Sequence, residues 1–198
     1  MKRSIVFILL CAVIGIASQG YKQSNFSSYT MEVYRNGERV GVLQTSKSLN
    51  SEKSFYELKS DVEINKLVTV KISESLSNQY ESGKLLSASH QRKVNGIHQS
   101  NVQLKYDNNK YVTHNGKVVE QAGTWIGASV LSLYHKEPIG LEGVYSESQG
   151  VWLKVSRIGN GVYHVSLPNQ QSAIYHYNKG ELVKVVSATK WGEIIFKR

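Results

Sequence analysis

Six histidines are the side chains best placed to move protons or hold metals: His90, His98, His114, His135, His164 and His176. None stands in a metal-binding spacing such as H-E-x-x-H. His164 and His176 fall on neighbouring predicted strands and can approach each other, but two histidines alone make a poor metal site. Only two aspartates occur, Asp61 and Asp107, and both read as strand or turn residues. The glutamates are dispersed, with no pair for acid–base work. G-x-S-x-G, P-loop and G-x-G-x-x-G motifs are missing. The sequence therefore predicts no catalytic residue, no metal and no cofactor, and a protein that is not an enzyme.

One constellation remains. Trp125, Tyr134 and His135 bracket the only stretch with helical rather than strand periodicity, GTWIGASVLSLYHKEPIGLEG. Within it Ile126, Val130 and Leu133 fall at i, i+4 and i+7, on one helical face. Thr124 can cap the start, and Pro138 stops a helix soon after Lys136. A short helix near 124–136 is expected. A helix that interrupts a β meander plugs the open side of a curved sheet, because a one-faced sheet must bury that face. Trp125, Tyr134 and His135 then stand at the rim. They are the candidate ligand-binding residues, an aromatic mouth with a polar handle. The competing possibility is ordinary core packing with His135 solvated.

The elements around this stretch read as strands. Tyr29, Met31 and Val33 alternate with polar neighbours up to Asn36-Gly37, a two-residue hairpin signal. Pairing across that turn sets Val33 opposite Val40, Met31 opposite Val42 and Arg35 opposite Glu38. Alternation resumes at Tyr56–Ile64 and at Val68–Ile72, with turns near Asn65-Lys66 and Ser82-Gly83. Asn95-Gly96 is the second clear hairpin. A simple two-residue turn sets Ser89 opposite Val102, Ser87 opposite Leu104 and Leu85 opposite Tyr106. It leaves His90 with Asn101 and Arg92 with Gln99 on the other face, a polar quartet expected to face solvent. Asp107-Asn108-Asn109 and Asn115-Gly116 turn the chain again. After Gly150, Val155 opposes Val165 across Gly159-Asn160-Gly161, which calls for a bulge. Strands continue around Lys179-Gly180 and end with Trp191–Phe196. The expected fold is mainly β: a curved antiparallel sheet or half-barrel of about ten to twelve strands with one inserted helix.

The first residues have another purpose. Lys2 and Arg3 precede an apolar run, IVFILLCAVIGIA, too short for a comfortable membrane span and suited to a signal peptide. Small residues suit cleavage after Ala17 or Gly20, giving a signal peptide at 1–20 and a single β-rich domain at 21–198. Cys11, the sole cysteine, lies inside the signal core after Leu10, which is not small, so no lipid anchor is expected. The mature chain then has no cysteine, disulfide or thiol chemistry, and no transmembrane segment. About 178 residues remain, enough to bury roughly 70% of the unfolded surface. Formal net charge is +9. The basic residues are spread along the chain, which with export argues against nucleic acid and leaves acidic envelope polymers open.

Two passages carry a family resemblance. Tyr29-Thr30-Met31-Glu32-Val33-Tyr34-Arg35-Asn36-Gly37-Glu38-Arg39-Val40-Gly41 resembles the first hairpin of a family of small exported bacterial proteins, domain of unknown function 6134. Val130-Leu131-Ser132-Leu133-Tyr134 resembles the central helix of the related family numbered 3108, and Ile174–Tyr177 with Leu182–Val185 resembles its closing hairpin. His135-Lys136 and His176-Tyr177 depart from that second family. The resemblance implies a curved antiparallel sheet with an inserted helix in the cell envelope, and supplies no catalytic residues. Taken together, the expectation is a periplasmic or secreted, non-enzymatic protein that binds a lipid-like or polymeric envelope ligand. Its rivals are a hydrolase on envelope lipid or polysaccharide using His135 or His114, and a structural interaction module.

Overall fold

A computed structural model describes residues 25–65, 68–113, 118–119, 123, 125–189 and 192–198. The signal segment with Cys11, the Thr124 cap, His114, the Asn115-Gly116 turn, Lys66 and Trp191 lie outside the described residues. Among the described residues, thirteen antiparallel strands form one curved, unclosed sheet. The first meander is β1 (Asn25–Arg35), β2 (Glu38–Asn50), β3 (Lys53–Ile64), β4 (Val70–Glu81), β5 (Lys84–Val94), β6 (Ile97–Asp107) and β7 (Lys110–Thr113). The second is β8 (Gly143–Ser146), β9 (Val151–Gly159), β10 (Val162–Ser166), β11 (Ser172–Asn178), β12 (Glu181–Thr189) and β13 (Gly192–Lys197). The order β7–β6–β5–β4–β3–β2–β1–β13–β12–β11–β10–β9–β8 joins the two meanders through β1 and β13. The strand count exceeds the expected ten to twelve.

The turn residues behave as their chemistry dictates. Asn36-Gly37 and Asn95-Gly96 hold positive φ at both positions, 52° and 82°, then 50° and 79°. Beside each of these turns, however, the register slips by one. Tyr34 pairs with Arg39 but Val33 with Gly41, so Val40 is an extra residue on β2. The expected Val33–Val40 and Met31–Val42 pairs are therefore replaced by Val33–Gly41 and Met31–Leu43, while Arg35–Glu38 stands. Lys93 pairs with His98 but Arg92 with Ser100, so Gln99 is extra on β6. Similar slips add Leu86 beside Ser82-Gly83 and Val183 beside Lys179-Gly180. Val155 does pair with Val165, across the bulge expected there. Such bulges raise local twist and bend the sheet, which curls it into a trough.

The slip matters most on β5. Ala88 pairs with Leu104 and His90 with Val102, not Ser87 with Leu104 or Ser89 with Val102. A one-residue slip exchanges the faces that meet. His90 and Arg92 thus belong to the inner face of the trough, and the solvent-facing quartet does not exist.

The expected helix is also absent. Between residues 125 and 142 the chain runs through the trough as irregular backbone with a single 3-10 turn, Leu131–Tyr134. Neighbouring strands have taken the groups a helix would need. Leu85 N–H donates to Ile126 O at 2.9 Å, and Ile126 N–H donates to the Tyr111 hydroxyl at 3.1 Å. Tyr145 of β8 exchanges bonds with Ala128 O and Val130 N–H at 3.0 and 2.9 Å. The plugging role survives without the helix. Ile126, Leu131 and Leu133 are fully buried. One core gathers Met31, Val33, Leu43, Leu58, Leu131, Leu133, Val155 and Val165. A second gathers Tyr80, Leu85, Leu104, Tyr111, Ile126 and Tyr145, drawing β8 towards β7.

Candidate functional site

Alternation along β2 to β6, read in its observed register, lays the inner face out in rows. The outermost pairs Ile64 with Val70. The next runs Val62–Ile72–Val94. Then come Ser60–Glu74–Arg92–Ser100, directly opposite one another across four strands. Beyond lie Leu58–Leu76–His90–Val102, and then Tyr56–Asn78–Ala88–Leu104. A charged row therefore separates two apolar layers. The crossing segment covers one layer. Among the described residues, no segment covers the other.

At the covered end the expected residues part company. Tyr134 is buried edge-to-face on Tyr175, ring centres 6.2 Å apart, and burial pushes its phenol well up. Its carbonyl accepts the Tyr29 hydroxyl, and the Leu133 carbonyl accepts that of Tyr177 at 2.6 Å. His135 Nε2 meets Thr45 Oγ1 at 2.7 Å, and that hydroxyl already donates to Glu57 O at 2.7 Å. The imidazole must then carry its proton on Nε2 and donate. Burial, with the nearby Lys47 and Arg198 charges, lowers the His135 pKa to about 4. Tyr29 and Tyr56 flank its ring at 5.7 and 5.4 Å. Trp125 is elsewhere. It stands 56% exposed beside the β4–β5 turn, with Lys84 Nζ 5.6 Å from its ring. Tyr134 and His135 thus seat the plug, and Trp125 does not join them.

Under the plug lies a buried polar cluster. Asn78 Nδ2 donates to Ser129 Oγ at 2.8 Å and to Glu147 Oε1 at 2.6 Å. The Tyr80 hydroxyl donates to Ser129 Oγ, and Leu131 N–H to Glu147 Oε1. Among the described residues, Glu147 Oε2 and Asn78 Oδ1 have no hydrogen-bond partner. Burial raises the Glu147 pKa, and a proton there supplies the donor this cluster lacks. The cluster pins the crossing segment to β4 and to the β8–β9 turn.

The open end holds a cavity of about 420 Å³. Val62, Ile64, Val68, Val70, Ile72, Val94, Ile194 and Phe196 give it apolar walls. Ser60, Glu74 and Arg92 of one row supply the polar groups at its floor, and Arg35 and Asn95 line it further out. Glu74 Oε1 is held by His90 Nε2 at 2.7 Å, and His90 Nδ1 meets Ser100 Oγ at 3.2 Å. An ionised carboxylate only accepts, so Nε2–H donates to Glu74. Among the described residues, no group of three or more His, Cys, Asp and Glu is placed to hold a metal, and no helix is long and apolar enough to cross a membrane.

A family model described as "Domain of unknown function (DUF6134)" matches residues 31–198. The chain belongs to this family. The DUF6134 resemblance of the first hairpin is thereby borne out. A solved β-barrel-like protein of domain of unknown function DUF1849 from Brucella abortus is similar at 10% identity, over 88% of this chain and 95% of that one, with a TM-score of 0.49. No curated protein matches the chain.

The floor of this DUF6134 trough escaped the sequence reading, although a signal was there. Glu74 is in phase with Val70, Ile72 and Leu76 on β4, and Arg35 with Met31 and Val33 on β1. A charge in step with the apolar side of a strand marks a polar group on the buried face.

Proposed function

We propose that this DUF6134 protein is an exported envelope protein that binds an amphiphilic ligand in the open end of its trough and performs no chemistry on it. The observation that carries this proposal is the cavity of about 420 Å³, apolar in its walls and charged at its floor. Its volume lies within the roughly 300–1,000 Å³ usual for small-ligand sites. An apolar layer that the chain's own crossing segment leaves uncovered suits the apolar part of such a ligand. Export rests on the leader-like composition of residues 1–20.

Native mass spectrometry of the protein isolated from its own envelope, with solvent extraction, tests the proposal. A reproducible stoichiometric amphiphile is the expected result. A clean unliganded mass, unchanged after incubation with envelope lipid, overturns it.

One observation favours a second possibility, a hydrolase. Glu74–His90–Ser100 has the carboxylate–imidazole–hydroxyl order of a serine nucleophile relay, with the two ring nitrogens exchanged. His90 is only 3% exposed, and neither it nor Ser100 lines the cavity, which favours binding over turnover. Labelling of Ser100 by a fluorophosphonate, abolished in Ser100→Ala, would put the hydrolase first; an unlabelled protein removes it.

A further inference from the structure

We propose that the sheet carries a strand-addition site along the first half of β1, and that its occupant is an extended, uncharged peptide segment of a partner protein. The site lies at the covered end, away from the cavity, and does not depend on the amphiphile-binding proposal.

The site follows from where β13 stops. β13 runs beside β1 from Arg35 only as far as Glu32, which pairs with Lys197. Arg198 N–H donates to the Val183 carbonyl of β12 at 3.1 Å. Residues 25–30 therefore pair with β2 on one side and, among the described residues, with no strand on the other. They leave an edge of about 20 Å whose alternate N–H and C=O groups point into the lane that β13 vacates. Across the head of that lane stands the tip of the β11–β12 hairpin, where Glu181 pairs with Asn178 and Leu182 with Tyr177. The two walls are two strand spacings apart, about 10 Å, so the gap is one strand wide. The Arg198 side chain touches both walls, its guanidinium 4.0 Å over the Tyr29 ring and 3.0 Å from the Glu181 carboxylate.

The other edges show how this sheet protects itself. β7 and β8, the terminal strands, have four residues each. Tyr111 O of β7 accepts Val119 N–H at 2.8 Å, and Tyr145 of β8 exchanges bonds with Ala128 and Val130. Residues 25–30 carry none of the usual blocks: no lysine or other charge, no proline and no bulge. The first charge on β1 is Glu32, already opposite Lys197. Free backbone groups at strand spacing are a template that another polypeptide backbone matches. A single peptide strand fits the gap, whereas the folded edge of a second copy would bring its own neighbouring strand against the β11–β12 tip. Side chains set the rest. Phe26 is 67% exposed, in step with the exposed Ser28 and Thr30 and out of step with the buried Met31. An apolar residue opposite Phe26 and small polar residues opposite Ser28 and Thr30 complete the pairing, and no charge is called for.

The test fills the lane from within. Because β13 leads into it, adding Thr-Val-Thr-Val-Val-Thr after Arg198 extends β13 along β1. Amide exchange at alternate positions among residues 25–30 should slow about tenfold or more in this variant. It should not slow in a chain extended by six prolines, which have no N–H to donate. Heptapeptides are then selected from a displayed random library on the intact protein, and their binding is read by fluorescence anisotropy. The expected binders are uncharged and alternate apolar with small polar residues. They should bind the strand-extended variant about tenfold or more weakly than the wild type, and the proline-extended chain as well as the wild type. Unchanged amide exchange after strand extension overturns the site. A library with no binder that the strand extension weakens, or binders that require a charged residue, overturns the assigned occupant. So does a concentration-dependent dimer that the same extension abolishes, which would give the lane to a second copy.

Discussion

The two ends of the trough share the strands β3, β4 and β5, and they differ in what meets their inner face. At the covered end, Leu58, Leu76 and Tyr80 face a crossing segment whose carbonyls are closed by the Tyr29 and Tyr177 hydroxyls. At the open end, Val62, Ile72 and Val94 are equally apolar, yet among the described residues none covers them and a cavity remains. Strand composition does not distinguish the ends. The difference lies in a single excursion between β7 and β8 that is long enough to fill one apolar layer. An apolar surface left without a protein cover is the part of the molecule available to a ligand, and the charged row is the border between the two uses.

The largest expected effect comes from removing packing at the covered end. Leu133→Ala should cost about 2–5 kcal/mol in urea unfolding. Ile72→Ala at the open end, where the side chain already borders a cavity, should cost about 1 kcal/mol or less. Equal losses would break the comparison.

Next is Glu147. Its folded pKa is raised by burial, so its contribution is complete below the unfolded value and is lost as pH rises through the folded one. Glu147→Gln keeps an acceptor, adds a donor and cannot ionise. It should unfold at higher urea than the wild type at pH 8, by about 1–3 kcal/mol, with the gap closing towards pH 5. A gap independent of pH would show that the carboxyl does not titrate with folding.

His135 works in the opposite direction. Its folded pKa, about 4, lies below the ordinary 6.5, so the unfolded chain takes up the proton first. Stability at this site should fall between pH 6.5 and about 4, by roughly 1–2 kcal/mol after discounting for the solvent that reaches a half-buried ring. His135→Gln, which can still donate to Thr45, should flatten that slope in paired urea melts; an unchanged slope would assign the acid sensitivity elsewhere. The smallest effect is expected at Trp125→Ala. That side chain is mostly exposed and belongs to neither end, so stability should shift by about 0.5 kcal/mol or less and the amphiphile seen by native mass spectrometry should be retained. Loss of that amphiphile in this variant would place the binding mouth back at the crossing segment.

Much of this architecture can be read from alternation and turn chemistry. Asn36-Gly37, Ser82-Gly83, Asn95-Gly96 and Lys179-Gly180 mark hairpins because both positions adopt positive φ. The strand faces of β3 and β4 follow from period two. The bulges beside those turns leave no comparable mark: nothing about Val40 or Gln99 announces an extra residue, yet each changes which faces meet. The missing helix is a second case. Ile126, Val130 and Leu133 have helical spacing, but their neighbourhood is decided by Leu85, Tyr111 and Tyr145, residues distant in sequence that claim the backbone bonds first. Tyr134 and His135 were legible as part of the crossing segment, but were read as rim residues of a ligand mouth, whereas Tyr134 is buried. The charged floor was legible only in part, through Glu74 standing in apolar phase.

The pairing of β1 with β13 also bears on how the molecule comes to exist. Glu32–Arg35 pair with residues 194–197, so the strand that begins the described chain waits for the one that ends it. Each meander is made of neighbouring hairpins that close quickly over short loops. Their union needs a contact between residues about 160 apart in sequence, with the loop-closure entropy that entails. A chain whose β13 has not yet left the ribosome can form hairpins but cannot join its two halves. The trough, and anything it holds, therefore waits on β13.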